Sequence, residues 1–554
     1  MLEPRGDEFI IIPMVYDPAK VVGELPFWLT IAASKEVRVD PIPETALVEP
    51  SNGDRTDQVR PPPCAVPAWF DCMGFSILSL SASLSHALSS SFAEHTSPFL
   101  FLSRQDSDEE SDNDYEDWQL HEPAFAEHAV GGARSKGPPR ERRTPRQIIE
   151  CCAKLRSKYE DPDFPAGAEM LNRDASRPAI NAKDVVFLRP CWRGMHDPRE
   201  HLVAGAAAKG AGDAGARPPV LFEEQQGACL VKQGALGDGW LLGAMATVAT
   251  KLDLLKALFV DWSLDWGVFT VRLFKNGKWH HVTVDDRLPA RKDSKTLLFA
   301  VGLDASDGGV HDGPAAQRIM WVALLEKAYA KLHGCYENLA RGTVPYGLQD
   351  LTGGAPQTMA LQEDAVRSKV ANGTLWRQLL DWAKSGCLLA VKFGGETQQS
   401  ETDAARTLQR GRAYPIVDVR EVRDGGVMHR MVRISNPWMA EAFEGRWKNS
   451  SQLWQKFPLL AEECRHDEEA CSWLEAGSDE EFEASEFFRT FCDGALFVNR
   501  IFPASWQQSR MRAFWTKETA MGPPFQPEDL KGEWLTNPQW ELHVSEPRTL
   551  SFIR

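Results

Sequence analysis

The stretch Gln233-Gly234-Ala235-Leu236-Gly237-Asp238-Gly239-Trp240-Leu241-Leu242 decides the fold of this chain. Its glycines predict a tight turn, and Asp238 is a favoured N-cap because its carboxylate can accept a hydrogen bond from an unpaired backbone N–H. From Trp240 to Phe259 apolar residues recur at helical spacing, which predicts a helix with one buried face. A thiol at the start of such a helix loses its proton more easily, because it lies in the positive field of the helix N-terminus. Gly239 stands there and has no side chain to react.

A glycine-rich turn before a helix is also typical of phosphate-binding loops. This turn lacks the Gly-Lys-Ser/Thr ending of such loops, and the third glycine of a dinucleotide-binding fingerprint falls on Leu242. Other motifs support a different interpretation: WVALLEKAYAKLH at 321–333, Asp350-Leu351-Thr352-Gly353-Gly354, and Asn436-Pro437-Trp438 after a predicted strand. Together with the first stretch, these motifs closely resemble the core of the calpain family of cysteine peptidases. The resemblance covers residues 144–500.

The resemblance implies an α+β fold, a papain-like two-subdomain calpain cysteine peptidase core flanked by partial C2-like β-sandwich segments. The predicted domains are the end of a C2-like sandwich (1–45), a Ser/Pro-rich, acidic and disordered linker (46–141), core subdomain 1 (142–354), core subdomain 2 (355–500) and the start of a C2-like sandwich (501–554). Gly353-Gly354 is the expected hinge between the subdomains. This order is the one expected of a fragment of a longer repeat protein.

The resemblance also assigns the catalytic positions. Gln233 matches the glutamine of the oxyanion hole, and Asn436 matches the asparagine that orients the catalytic histidine. Gly239 stands where the family has its nucleophilic cysteine, and Arg412 stands where it has the histidine. The separation of 24 residues between Arg412 and Asn436 is that of the family, which fixes the alignment. Because arginine cannot exchange a proton near neutral pH and glycine cannot attack, the sequence predicts a catalytically inactive pseudopeptidase.

Calcium binding is predicted to be lost as well. The acidic calcium positions of the family fall on Leu230, Ile319, Ala442 and Asn449, and the arginine that couples the two calcium loops falls on Ala228. Calcium needs several oxygen ligands, which Leu, Ile and Ala side chains cannot supply. A shift of register that recruits Glu441 or Glu444 is the alternative for one of the two sites. We therefore expect no cofactor and a calcium-independent core.

Composition limits the function further. The net charge of −16 argues against nucleic acid, since no basic stripe is present to meet phosphates. Eleven cysteines without a CxxC pair or a secretory signal predict reduced thiols and a cytoplasmic protein. Residues 72–92 carry no charge and could just span a bilayer, but their serines favour a linker or surface segment, so membrane association is not expected.

These observations leave distinct hypotheses about function. The first is a binding or regulatory module that holds a protein or peptide ligand, and the second is an active calcium-dependent cysteine endopeptidase with a nucleophile elsewhere. A membrane-tethered scaffold is the third. For Arg412 itself, the sequence allows a side chain that fills the space left at Gly239, paired with a carboxylate, or one that binds an acidic ligand. The acidic run 106–117 is one candidate for such a ligand.

Periodicity and turn residues predict the secondary structure around these motifs. Asn276-Gly277 predicts a type I′ turn in a hairpin. The residues around Asp17-Pro18 and Gly23 predict a second hairpin near the N-terminus. The predicted helices are 147–158, 321–333 and 375–384, and the predicted strands are 9–13, 27–31, 268–274, 279–284, 387–393, 413–419 and 431–435.

Overall fold

A computed structural model describes residues 143–502, apart from 175–177, 191–218, 223–229, 304–318, 395–407, 439–443, 466–471 and 479–484. It also describes the backbone of seven strands nearer to the two ends of the chain. The rest of the predicted linker, including the acidic run 106–117, lies outside the described residues. The chain divides into two compact units, one made of Met1–Pro123 with Phe502–Arg554 and the other of Ala124–Ile501.

The elements are numbered here in chain order. The strands are β1 (Glu8–Val15), β2 (Leu25–Ala33), β3 (Arg38–Pro41), β4 (Met73–Ser79), β5 (Val185–Leu188), β6 (Leu230–Lys232), β7 (Phe259–Ser263), β8 (Val268–Lys275), β9 (Lys278–Asp285), β10 (Leu288–Arg291), β11 (Val301–Leu303), β12 (Ala355–Ala360), β13 (Leu388–Lys392), β14 (Ala413–Asp424), β15 (Val427–Ile434), β16 (Trp473–Ser478), β17 (Ala495–Arg500), β18 (Gln507–Trp515), β19 (Trp540–His543) and β20 (Leu550–Ile553). The α-helices are α1 (Pro145–Leu155), α2 (Ala168–Leu171), α3 (Gly239–Ala249), α4 (Leu252–Leu258), α5 (Trp321–Leu332), α6 (Val344–Thr352), α7 (Asp364–Ala371), α8 (Thr374–Lys384), α9 (Leu453–Lys456), α10 (Pro458–Cys464) and α11 (Glu486–Thr490). Short 3₁₀ turns lie at Ala182–Asp184 and Tyr336–Leu339.

Strands from the two ends of the chain share two antiparallel sheets. One sheet has the order β3-β19-β1-β4 and the other has the order β18-β2-β20. Phe9 lies opposite Leu542 in the first sheet, and Trp28 lies opposite Arg512 in the second. The hairpin predicted near the N-terminus is wrong, because β1 and β2 lie in different sheets.

This pairing differs from the predicted domain order in two ways. The sequence assigns residues 1–45 and 501–554 to separate modules, whereas each sheet contains strands from both segments. The sequence also predicts a disordered linker over 46–141, yet β4 lies within it and pairs with β1 from Phe9↔Ser79 to Val15↔Met73. Such partners are far apart in sequence, so local patterns do not reveal them. No helix among the described residues is long and apolar enough to cross a membrane.

Helix α3 lies at the centre of the first half of the core. Every residue from Leu241 to Ala249 is buried, because the helix is apolar on all sides and is covered by α6, β14 and α4. The predicted helix from Trp240 to Phe259 is in fact interrupted. Lys251 has an extended backbone (φ −118°, ψ 91°), so α4 begins as a separate helix at Leu252.

The hairpin of β8 and β9 confirms the turn predicted at Asn276-Gly277. Both residues have positive φ, 50° and 68°, as a type I′ turn requires. The register runs from Val268↔Asp285 to Lys275↔Lys278. With β7 the hairpin forms a three-stranded sheet against α6 and α5.

A buried network of charges fastens α5 to the strands around it. The Lys327 ammonium is fully buried and lies 2.6 Å from Oδ1 of Asp285, and the Lys331 ammonium lies 2.7 Å from Asp161. Burial alone would raise the pKa of Asp285, but the charge and hydrogen bonds of Lys327 and its neighbours lower it to about 2. Lys327 thus remains paired inside the core, where an isolated charge would be costly.

The second half of the core is built on a six-stranded antiparallel sheet. Its order is β12-β17-β13-β14-β15-β16. The amphipathic helix α8 covers one part of it with Leu375, Trp376 and Leu379, which are all buried. β14, an inner strand of this sheet, begins at Ala413, so the sheet fixes the backbone directly after Arg412, the position at which the resemblance expects a histidine.

Several contacts join the two halves of the core. Gly353 ends α6 with φ 66°, and β12 of the second half begins two residues later, so the predicted hinge residues lie in the connection between the halves. The backbone N–H of Val231 donates to the carbonyl of Pro437 at 2.7 Å. The Lys251 ammonium donates to the carbonyl of Gly386, and the Asn499 amide donates to Thr352 Oγ1 at 2.9 Å.

Candidate functional site

The turn before α3 presses directly against neighbouring backbone. A Cβ at Gly234 would clash with the backbone of Leu298 and Phe299, so only glycine fits. The next residue, Ala235, donates its N–H to the Leu298 carbonyl at 2.9 Å. These contacts fix the turn on subdomain 1 and place Gly239 at the first position of α3.

Gly239 lies against the side chain of Arg412. A Cβ built on Gly239 would clash with Nη1 of Arg412 and would lie 3.4 Å from its Cζ. The guanidinium therefore occupies the space in which the side chain of a nucleophile at position 239 would begin. This contact agrees with the hypothesis that Arg412 fills the space left by the missing thiol.

Arg412 is held on its own subdomain by Trp438. Its Cζ lies 4.8 Å from the centre of the Trp438 ring, a distance typical of a cation–π contact. The ring is itself fixed, since Trp438 Nε1 donates to the Ala413 carbonyl at 2.9 Å. The space-filling hypothesis expected Arg412 to pair with a carboxylate. Among the described residues no carboxylate forms an ion pair with Arg412.

The side chain of Gln233 also lies beside Gly239, but its orientation does not suit an oxyanion hole. Its Nε2 donates to the Leu236 carbonyl within the turn. Its Oε1 would lie 3.3 Å from a Cβ at Gly239, so an acceptor faces the nucleophile position. An oxyanion needs donors there. The glutamine is retained, but in this structure its amide stabilises the turn.

Asn436 supports the turn that carries Trp438. Its Oδ1 accepts a hydrogen bond of 3.3 Å from the backbone N–H of Trp438. The structure thus brings Gln233, Gly239 and Arg412 into direct contact and connects Asn436 to them through Trp438. The positions that the sequence assigned to catalysis converge on one cleft, although two of the four residue types are changed.

Sequence reasoning missed a pair of buried carboxyl groups beneath this site. Asp238 and Glu326 are 0% and 1% exposed. Asp238 makes no N-cap hydrogen bond with its side chain, so the predicted capping role is wrong. When both acids are ionised, neither oxygen of Asp238 has a hydrogen-bond donor, and protonation of Glu326 supplies one. A signal was present, because Glu326 and Lys327 are adjacent charged residues in a helix whose other residues are mostly apolar.

The environment makes this pair share a proton. Burial raises the pKa of Asp238 to about 6, although the hydrogen bond from Glu326 and the charge of Arg412 lower it in part. Burial and the Asp238 carboxylate raise the pKa of Glu326 well above its usual value, despite the backbone N–H of Ala300 that donates to it at 3.1 Å. Near neutral pH the two carboxyl groups therefore share one proton and one negative charge, which interacts with Arg412.

The positions at which the resemblance expects calcium ligands form no cluster of ligands in the described residues. Leu230 lies in β6 opposite Leu303, and Ile319 is buried against Gly302. Asn449 lies in an exposed turn, and Ala442 is outside the described residues. Glu444, the candidate for a shifted register, pairs with Lys448 at 2.8 Å. No group of three or more His, Cys, Asp or Glu suited to a metal ion occurs in the described part of the chain.

The cysteines of the described residues all lie away from the N-terminus of α3. Cys335 and Cys387 are buried, and burial raises the pKa of both thiols. Neither lies at the N-terminus of α3, the position that activates a thiol. Cys229, ten residues before Gly239, is outside the described residues.

This combination of a helix N-terminus, a facing strand and an Asn-Pro-Trp turn defines a papain-like cysteine peptidase cleft. Residues 159–482, more than half of the chain, match the profile of the calpain family cysteine proteases. The chain therefore belongs to the calpain family.

Individual relatives agree with this assignment. The chain is 32% identical over 394 residues to the calpain-type cysteine protease ADL1 of Oryza sativa subsp. japonica, covering 71% of this chain and 16% of that protein. It is 32% identical over 328 residues to the calpain-type cysteine protease DEK1 of Zea mays, covering 59% of this chain and 14% of that protein. It is 31% identical over 303 residues to the calpain-2 catalytic subunit of Gallus gallus, with coverage of 53% and 37%. The chain thus spans well under half the length of these relatives.

Proposed function

We propose that this chain is a catalytically inactive calpain core that acts as a binding or regulatory module. One observation carries the proposal: the guanidinium of Arg412 occupies the space in which the nucleophile's side chain would begin. A papain-type reaction needs a thiolate, a base that gives and takes a proton, and an oxyanion donor. Gly239 supplies no thiolate, and an arginine side chain cannot serve as the base.

The same substitutions shape what the module can do. A cleft that lacks its nucleophile and base can still hold a protein or peptide segment, because binding relies on surface and hydrogen bonds and not on the reacting groups. We place calcium outside this function, since the side chains of Leu230 and Ile319 have no oxygen atom with which to bind the ion. A cytoplasmic location, within a larger protein, is part of the same proposal.

The competing function is an active calcium-dependent endopeptidase. It requires a thiol that reaches the cleft, and none of the described cysteines lies at the N-terminus of α3. Cys229, which lies ten residues before Gly239 in the sequence, is the remaining candidate for such a thiol. A test of the proposal must therefore detect any reactive thiol in the cleft, whatever its position in the chain.

A peptidyl epoxide that alkylates papain-type thiolates provides this test. The full chain is treated with the probe, with and without calcium, and labelled residues are located by peptide mass spectrometry. We expect no label on the wild-type cleft and labelling of position 239 in the Gly239→Cys/Arg412→His variant. The Cys229→Ser variant is the control for the neighbouring thiol. Stoichiometric wild-type labelling that Cys229→Ser abolishes would contradict the proposal.

A further inference from the structure

The two subdomains meet at a place where a side chain of one fills a gap in the other. Arg412 directly precedes β14 of subdomain 2, and Gly239 is the first residue of α3 in subdomain 1. The guanidinium lies against Gly239, and its Cζ lies 4.8 Å from the centre of the Trp438 ring. Beside it, Gly243 of α3 packs close to Ala413, since a Cβ on that glycine would lie 3.0 Å from the Ala413 Cβ. The fit is close because both helix positions are glycines.

The charges across this contact are complementary. A cation at the N-terminus of a helix is normally unfavourable, because that end carries a partial positive charge. Here Asp238, directly before Gly239, belongs to the buried carboxyl pair, and its carboxyl group interacts with the charge of Arg412. One subdomain thus contributes a fixed cation and the other contributes a buried anion.

We propose that Arg412 is an internal clamp that holds the two subdomains in their closed arrangement. It is anchored by Trp438, accommodated by Gly239 and attracted by Asp238. This inference concerns the conformation of the core and does not depend on the proposed loss of peptidase activity. It gives a structural reason for an arginine at this position, because the long side chain and permanent charge reach across the cleft.

Another arginine of the same turn provides a matched control. Arg410 also stacks on an aromatic ring, with Cζ 4.9 Å from the centre of Phe393, and pairs with Asp493 at 3.2 Å. Both of these partners lie in subdomain 2, like Arg410 itself. An effect that depends on bridging the subdomains should therefore appear at Arg412 and not at Arg410.

Hydrogen exchange of the Val231 amide measures closure directly, because this N–H donates across the cleft to Pro437. In the full chain, Arg412→Gln should speed its exchange about tenfold, the factor expected for the loss of a contact of 1–2 kcal/mol. Arg410→Gln should leave the rate unchanged. Exchange at Leu324, whose N–H donates to Met320 inside subdomain 1, shows that each variant is folded.

The remaining outcomes are also decisive. Arg412→Lys keeps the charge but stacks less well, so its Val231 amide should exchange at an intermediate rate. If Arg412→Gln fails to fold, as judged from Leu324, then Arg412→Lys alone decides between the outcomes. An unchanged Val231 rate in a folded Arg412 variant would overturn the clamp.

Discussion

The backbone N–H of Val231 donates a 2.7 Å hydrogen bond to the carbonyl of Pro437, across the two halves of the core. Val231 follows Leu230, the position at which the calpain resemblance expects a calcium ligand, and Pro437 lies in the Asn-Pro-Trp turn. A direct protein contact thus joins the subdomains beside the position of a missing calcium ligand.

We predict that calcium does not bind to this core. Calorimetric titration of the full chain should show no saturable heat in the micromolar to millimolar range, because oxygen ligands are replaced at the family positions. The melting temperature should stay unchanged, since a ligand stabilises a protein only if it binds the folded state. Saturable heat that is accompanied by a rise in melting temperature would contradict this prediction.

The substitutions at positions 239 and 412 should be coupled energetically. Gly239→Cys alone forces a side chain against the Arg412 guanidinium and should lower the free energy of unfolding by about 1–3 kcal/mol, as overpacking does. Combining it with Arg412→His should recover part of this loss, because the clash is removed. Urea unfolding of both single variants and the double variant gives the coupling energy.

A glycine without such a neighbour serves as the control for this cycle. Gly167 has an extended backbone, and the only atom near a Cβ built there is the Pro165 carbonyl oxygen at 4.0 Å. Gly167→Cys should therefore be nearly neutral. Additive effects at 239 and 412 would show that the two side chains do not compete for space.

Restoring catalysis should require both changes. Gly239→Cys and Arg412→His together rebuild the thiol and the base beside Gln233 and Asn436, whereas either alone leaves one of them missing. We expect weak peptidase activity from the double variant, because Gln233 must also turn its amide towards the cleft. Cleavage of a fluorogenic peptide measures this activity. Turnover by Arg412→His alone would reveal another nucleophile and refute the pseudopeptidase interpretation.

The Asp238–Glu326 pair predicts how stability changes with pH. Both carboxyl groups have raised pKa values in the folded chain, that of Asp238 being about 6, so the folded state binds more protons than the unfolded state. This contribution favours folding at low pH and is lost as the pH rises from about 4 through 6 and beyond. Glu326→Gln should therefore raise the free energy of unfolding at pH 8 by about 1–3 kcal/mol.

The Glu326→Gln variant also keeps the local hydrogen bonds, since a glutamine amide can donate to Asp238 and accept from the backbone N–H of Ala300. Urea unfolding between pH 4 and pH 8 should show a smaller decline in stability for Glu326→Gln than for the wild type. Glu444→Gln, at an exposed ion pair with Lys448, should change stability by less than about 1 kcal/mol. A Glu326→Gln variant that is less stable at pH 8 would argue against the buried charge pair.

Local patterns predicted the elements of the core well. The hairpin turn at Asn276-Gly277, helix α5 and the strand that follows Arg412 all lie where periodicity and turn residues place them. The convergence of Gly239 and Arg412 on one cleft was predicted by resemblance and by the distance in sequence to Asn436. Neither the resemblance nor the spacing could predict that the Arg412 side chain fills the space at Gly239, because this depends on how that side chain packs in the folded core.

Features that depend on tertiary contacts were predicted poorly. Asp238 has the residue type of an N-cap, but burial directs its carboxyl towards Glu326 and not towards the helix backbone. The hairpin expected between β1 and β2 failed for a similar reason. β1 pairs with β19 near the C-terminus and with β4, β2 pairs with β18 and β20, and nothing in a short window of sequence indicates such partners.

The two sheets join the N-terminal segment of the chain to its C-terminal segment through backbone hydrogen bonds. β1 lies between β19 and β4, and β2 lies between β18 and β20, so the last 50 residues cover three of the four flanks of these two strands. A single cut within 124–501 therefore yields two pieces that remain joined through both sheets. Loss of the C-terminal strands has a different consequence, because it leaves both edges of β2 open to pairing with another chain.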